Sequence, residues 1–309
     1  MKRPWGVSAL AVILLAGCSS LGSSSVPSSS SASSPSSASK TLAAAPVIGV
    51  YEPGVPESWS ELAEFSQATG VSPKVVVYYS AWDEVFKTGF ADAALKHGST
   101  VFVKMQPNGV ALASIAAGSS DVYLRAYARA VRAFGHRVII SFAHEMNGDW
   151  YPWGTNDTTP ADFVAAWRHV VQVFRDAGAT NVTWVWTVNS IDGAEGNLVR
   201  WWPGSSWVSW VGVDGYFNRP NLSYASEFGS TISQIRSFSS APVVIAETAV
   251  AMTPDRDQQI TGLFDGARAD HVADLIWFDV DSANGAGHED WRLEGDSAAL
   301  STFTAAVSG

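Results

Sequence analysis

Cysteine is almost missing: Cys18 is the only one in 309 residues. A disulfide within the chain is therefore excluded, as is a zinc site built on cysteine pairs. Basic residues are also scarce, with 19 Lys and Arg against 29 Asp and Glu. Residues 1–17 hold Lys2 and Arg3 and no acidic residue, so the remainder carries 17 basic against 29 acidic residues, a formal charge of −12. That balance disfavours nucleic acid and anionic polymers as partners and suits a neutral one. No G-x-G-x-x-G follows the first apolar run and no P-loop occurs, so nucleotide binding has no support. His144-Glu145 opens like H-E-x-x-H, but Gly148 stands where the second His would be. No metal or other cofactor is expected.

The N-terminus reads as a targeting segment. Lys2 and Arg3 precede a short apolar run, Val7 to Ala16, which is too short to span a bilayer as a mature helix. Leu15-Ala16-Gly17-Cys18 resembles a bacterial lipobox. Residues 1–17 are then a lipoprotein signal peptide, with Cys18 lipidated. The protein is expected to be exported and tied to a membrane through that lipid alone. Residues 18–45 are Ser-rich with scattered Pro and Ala. They cannot bury a core and read as a flexible linker.

Residues 46–309 are left for the fold, close to the ~250 residues typical of a (β/α)8 barrel. Eight apolar runs stand out: Val47–Val50, Val75–Tyr79, Thr100–Met105, Val138–Phe142, Val182–Val188, Val208–Val213, Pro242–Ala246 and Ala273–Phe278. Helical patterns follow most of them, at Ser58–Thr69, Ala91–His97, Asp121–Phe134, Pro160–Ala177, Glu227–Phe238, Pro254–Ala269 and Ser297–Ala306, with a weak one near Leu198–Trp202. This alternation predicts a parallel sheet with crossover helices, and eight units favour closure into a TIM barrel. Thr159, Pro160 and Asp162 form a helix start, and Phe163, Trp167, Val170 and Phe174 share the face that should pack on the sheet.

Arg137 to Gly154 is the stretch with the most chemistry. A β-branched strand runs into Glu145, and the turn Asn147-Gly148 leads to Trp150, Tyr151 and Trp153. A carboxyl group at a strand end with aromatic rings beside it suits sugar chemistry. The carboxyl can donate a proton, and the rings can stack on pyranose faces. A retaining glycosidase needs a second carboxyl ~5 Å away. The best partner ends the seventh run, where Pro242-Val-Val-Ile-Ala is followed by Glu247. Barrel active sites are built from such C-terminal strand ends.

The segment HEMNGDWYPWG resembles the acid/base segment of glycoside hydrolase family 26, which includes β-mannanases and some β-glucanases and xylanases. The positions that carry the resemblance are His144, Glu145, Asn147, Gly148 and Trp150. It implies that Glu145 is the acid/base, that Glu247 is the nucleophile, and that Tyr216 hydrogen-bonds Glu247. His144, Asn147, Trp150 and Tyr216 are the substrate-contact candidates. Strict strand alternation turns His144 away from the barrel interior, so its contact with sugar requires a bulge or twist. Trp82 and Trp277 are further platforms or, equally, core residues. Asp214 either orients neighbours or caps a strand. Asp279, Asp281, His288 and Asp290 read as a polar loop near the cleft.

The resemblance thus implies a monomeric, retaining endo-β-glycosidase acting on a neutral polysaccharide or oligosaccharide of the β-mannan type. The alternatives are the same chemistry on β-1,3/1,4-glucan or β-xylan, and a barrel that binds glycan without cutting it. Two strand-end carboxylates argue against the last, since a binding module has no need of both.

Overall fold

The computed structural model describes residues 44–191, 196–283 and 289–309. Residues 1–43, with Cys18 and most of the Ser-rich linker, lie outside that set, as does His288. Eight parallel strands close into a barrel in sequence order. They are β1 (Val47–Tyr51), β2 (Val75–Ala81), β3 (Thr100–Gln106), β4 (Val138–Phe142), β5 (Val182–Asn189), β6 (Trp210–Asp214), β7 (Val243–Thr248) and β8 (Asp274–Phe278). β1 pairs with β8 from Val47↔Asp274 to Tyr51↔Phe278, and this seam completes the (β/α)8 barrel.

The outer ring is α1 (Ser60–Thr69), α2 (Thr88–Lys96), α3 (Leu112–Ala116), α4 (Asp121–Phe134), α5 (Pro160–Asp176), α6 (Ser230–Arg236), α7 (Arg256–Ala269) and α8 (Ser297–Ser308). α5 starts as its sequence predicts: Thr159 accepts from the Asp162 amide at 3.1 Å and Pro160 opens the first turn. Its buried Phe163, Trp167, Val170 and Phe174 face the sheet. Among the described residues between β5 and β6, a 3-10 turn forms at Leu198–Trp201, where a weak helix was expected. The helix expected at Glu227–Phe238 is split into a π-helical turn, Ala225–Gly229, and α6.

Most of the apolar core lies between strands and helices. A smaller cluster fills the barrel itself, with Val75, Val77, Phe102, Ile139, Val185 and Ile276 among its members. Gly212 faces inward there, and a Cβ on it would lie 2.7 Å from Thr187 Oγ1 and 3.0 Å from Ala246 Cβ. Above this apolar layer, toward the C-terminal strand ends, the interior turns polar. Lys104, Ser141, Thr187 and Asp214 are all fully buried. A packed lower barrel therefore supports a polar upper one, and the site sits on it.

Candidate active site

Two backbone irregularities aim the key carboxylates. β4 ends at Phe142, and both Ala143 (φ 49°) and Glu145 (φ 55°) then take left-handed conformations. Such angles are uncommon for residues other than glycine and concentrate at functional sites. The twist is held by bonds from the Ala143 amide to Met105 O and from the Glu145 amide to Thr187 O, each 3.0 Å. It turns Glu145 into the site and sets the His144 ring against Tyr79 and Tyr151. On β7 the register slips: Val213 pairs with Ile245 but Asp214 pairs with Glu247. Ala246 is the extra residue of this bulge. It lies in the inner cluster while its neighbour Glu247 also points inward.

Glu145 and Glu247 thus face each other at one end of the closed sheet, with oxygens within 4.8 Å of one another. Trp150 Nε1 donates to Glu145 Oε2 and Asn189 Nδ2 to Glu145 Oε1, both at 2.8 Å. Glu247 is held more heavily. Tyr79 and Lys104 donate to its Oε1, and Tyr216 donates to Oε2 at 2.6 Å. Lys104 Nζ also reaches Asp214 Oδ2 at 3.0 Å. The ammonium therefore supplies the positive charge that these two buried carboxyl groups require.

The two carboxyls titrate in opposite directions. Burial, and then the charge of Glu247, raises Glu145 above the usual carboxylate range. Burial also pushes Glu247 up, but Lys104, with hydrogen bonds from Lys104 and Tyr216, more than reverses this and leaves it lowered. Asp214 is raised well above its ordinary value by burial and by Glu247. Lys104 is raised, because Asp214 and Glu247 outweigh its burial. Two carboxyl groups thus share one ammonium and are shifted in opposite directions, Asp214 upward and Glu247 downward.

Trp150 is 54% exposed, and its ring covers Gly148 so closely that a Cβ there would meet it at 2.4 Å. An exposed ring tied to Glu145 has the form expected of a sugar platform. Tyr216 lies where the sequence put it. Other candidates are corrected. Solvent reaches none of His144. Its ring packs behind Tyr79 and Tyr151, with Nε2 3.2 Å from the Tyr151 hydroxyl, so it supports those tyrosines instead of meeting a sugar. Burial, then Lys104, lowers its pKa to about 3, so it is neutral at neutral pH. Asn147 spends both ends of its amide on the Asn189 backbone, at 2.9 Å each, and thereby positions Asn189 against Glu145.

Trp82 and Trp277 are core residues. Trp82 is 8% exposed, packs on Tyr123 and Phe142, and donates to Ser120. Trp277 points outward from β8 onto Phe303 of α8 and is fully buried. Neither offers a free ring face. Tyr79, Lys104 and Asn189 had not been picked out from the sequence. Each sits at the C-terminal end of its strand, and that position was the available signal. Beside Tyr216 and Asn189, a cleft of about 320 Å³ opens, with Ile191, Asn218 and Arg219 among its walls.

The glycosyl hydrolase family 26 model matches residues 126–262, the segment that holds both carboxylates. Endoglucanase H of Acetivibrio thermocellus is 28% identical over 274 residues, which is 82% of this chain and 29% of that protein. Beta-1,3-xylanase TXYA of a Vibrio species is 34% identical over 121 residues, 38% of this chain and 25% of that one. The chain thus spans less than a third of the length of these curated relatives. Beyond that matched segment, the barrel resembles an endo-beta-1,4-mannanase of Cellulomonas fimi at TM-score 0.69 and 15% identity, over 86% of this chain and 71% of that one. At that identity the likeness is one of fold.

Proposed function

We propose that the chain is a retaining endo-β-glycosidase that cuts a β-mannan-type polysaccharide through a glycosyl-enzyme intermediate. The observation that carries this reading is the carboxylate pair. One oxygen of each lies within 4.8 Å of the other's, in keeping with the ~5–5.5 Å spacing of retaining enzymes and short of the ~6.5–9.5 Å that an inverting water needs. Glu145 holds its proton because it is buried beside an anion, so it donates to the departing glycosidic oxygen. Glu247, kept ionised by Lys104 and Tyr216, attacks the anomeric carbon. Forming the ester removes the Glu247 charge and with it one cause of the raised Glu145 pKa. Glu145 is then an anion able to take a proton from water. Tyr79 and Tyr216 remain donors, since burial and then Glu247 push both phenols well up.

Trp150 would carry a sugar ring next to the bond that breaks, and the cleft beside Tyr216 leaves room for a further unit. A second reading, the same chemistry on a β-glucan, is favoured by the alignment with Endoglucanase H over 82% of the chain. Cys18 would hold the enzyme at a membrane surface. Incubation with soluble mannan, mixed-linkage glucan and xylan tests the proposal by new reducing ends and loss of viscosity. Mannan is expected to be cut fastest, and viscosity to fall early. A chain that binds these glycans and cuts none of them would be a binding barrel.

A further inference from the structure

Glu52 and Asp279 follow directly on β1 and β8, at the seam where the first and last strands pair. Glu52 is 5% exposed, Asp279 is 2% exposed and Glu294 is half-buried. One oxygen from each carboxylate lies within 4.8 Å of the other two. Together they line a cleft of about 260 Å³, with Glu61, Asp281 and Arg292 around it. Asp279 Oδ1 is anchored by Trp277 Nε1 at 3.1 Å and by the Leu293 amide at 3.0 Å. Among the described residues, no amide, ammonium, guanidinium or hydroxyl donates to Asp279 Oδ2 or to the carboxylates of Glu52 and Glu294. Arg292 directs Nε and one terminal nitrogen to Asp290, at 3.0 and 2.7 Å. Glu52 is therefore a carboxylate more than nine-tenths buried, aimed into a shared cleft, and among the described residues no donor other than a carboxyl group reaches it.

Buried charges are either paired or coordinate a metal. The Glu145–Asp214–Glu247 group has Lys104, whereas among the described residues no ion pair reaches this trio, and the nearby Arg292 is bonded to Asp290. Calcium binds oxygen ligands at ~2.3–2.6 Å, so two of its ligands lie at most ~5 Å apart, and the trio falls within that span. With no His or Cys in the set, zinc and copper are poor matches. We propose that Glu52, Asp279 and Glu294 form a calcium site that ties the loop after β1 to the loop after β8. Backbone carbonyls or water would complete the ion's coordination. Protons are the competing way to neutralise the cluster: burial, then Asp279 and Glu294, push Glu52 up to about 10. The bound ion would also steady the wall beside Glu247. Tyr51 and Phe278, one residue before Glu52 and Asp279, stack at 4.9 Å, and Tyr51 abuts Tyr79 at 5.0 Å.

Terbium titration of the chelator-treated full chain tests the site, because Trp277 touches Asp279 and can sensitise the ion's emission. One saturable site is expected, from which calcium displaces terbium and magnesium does so poorly. Glu52→Gln and Glu294→Gln should each weaken binding about tenfold or more. Calcium a hundredfold above its Kd should raise the wild-type melting temperature by about 5–10 °C and the variants' by about half as much or less. Glu294 is half-buried, so its variant keeps the test decisive if Glu52→Gln fails to fold. Wild-type terbium affinity in both variants would put the ion elsewhere and overturn the assignment. A wild-type chain whose melting ignores calcium would overturn it as well and leave protons as the neutralising charge.

Discussion

Replacing Lys104 with methionine probes how the site keeps its nucleophile charged. Methionine keeps the length of the side chain and removes the ammonium that lies between Glu247 and Asp214, 3.0 Å from the latter. Removing one partner of a fully buried ion pair costs about 3–5 kcal/mol if the other stays charged. At 1.36 kcal/mol per pKa unit, that moves the acid limb of the kcat/KM profile about 2–4 pH units upward. The sign follows from Glu247. In the wild type its folded pKa is lowered, so its stabilising charge is present at neutral pH and lost as pH falls through that value. In the variant the folded pKa lies above the unfolded one. Its contribution is then complete in acid and lost as pH rises through the new value. Melting temperature against pH should accordingly slope in opposite senses for the two proteins over the acid range. The assay is a pH–rate profile with a soluble polysaccharide, paired with melting curves at the same pH values. A variant whose acid limb stays in place while its rate drops uniformly would refute the reasoning, and Lys104 would then be a packing residue.

Two other perturbations test separate parts of the account. Trp150→Ala should change stability by no more than about 0.5 kcal/mol, because the ring is 54% exposed, yet lower kcat/KM about tenfold or more through lost stacking and the lost bond to Glu145. A large fall in melting temperature with full activity would reverse that assignment. Cys18→Ser should release the protein from the membrane fraction or stall its processing, and equal solubility of both forms would end the lipoprotein reading.

Strand order, barrel closure and the opposed glutamates were legible because apolar periodicity and strand-end position are local signals. The strands were read short at their C-terminal ends. β1 reaches Tyr51, β3 Gln106, β5 Asn189, β6 Asp214 and β7 Thr248, one or two residues beyond each apolar run. These extensions are polar or aromatic because they form the site, so an apolar pattern stops where function begins. Of the residues missed, Asn189 shares that origin. Lys104 lies inside an apolar run and looks misplaced until Asp214 and Glu247, 110 and 143 residues away, are folded against it. Trp82 and Trp277 were ambiguous because a strand-end tryptophan reads alike whether it faces the cleft or the helices. Pairing and packing decide that, and for both they decide for the core. The bulge at Ala246 and the left-handed Ala143 and Glu145 leave no mark in composition, since glycine stands at none of the three.

Azide rescue of Glu145→Ala and Glu247→Ala tests the proposed mechanism most directly. On an aryl β-glycoside with a very good leaving group, Glu145→Ala should still form the glycosyl-enzyme, because little protonation is needed, and then stall for want of a base. Azide needs no base, so it should restart turnover and give a β-glycosyl azide by NMR. Glu247→Ala should give no intermediate, and azide should not restore turnover with net retention. An α-glycosyl azide from Glu145→Ala would contradict the double displacement, and wild-type activity on the polysaccharide in both variants would remove the two glutamates from the chemistry.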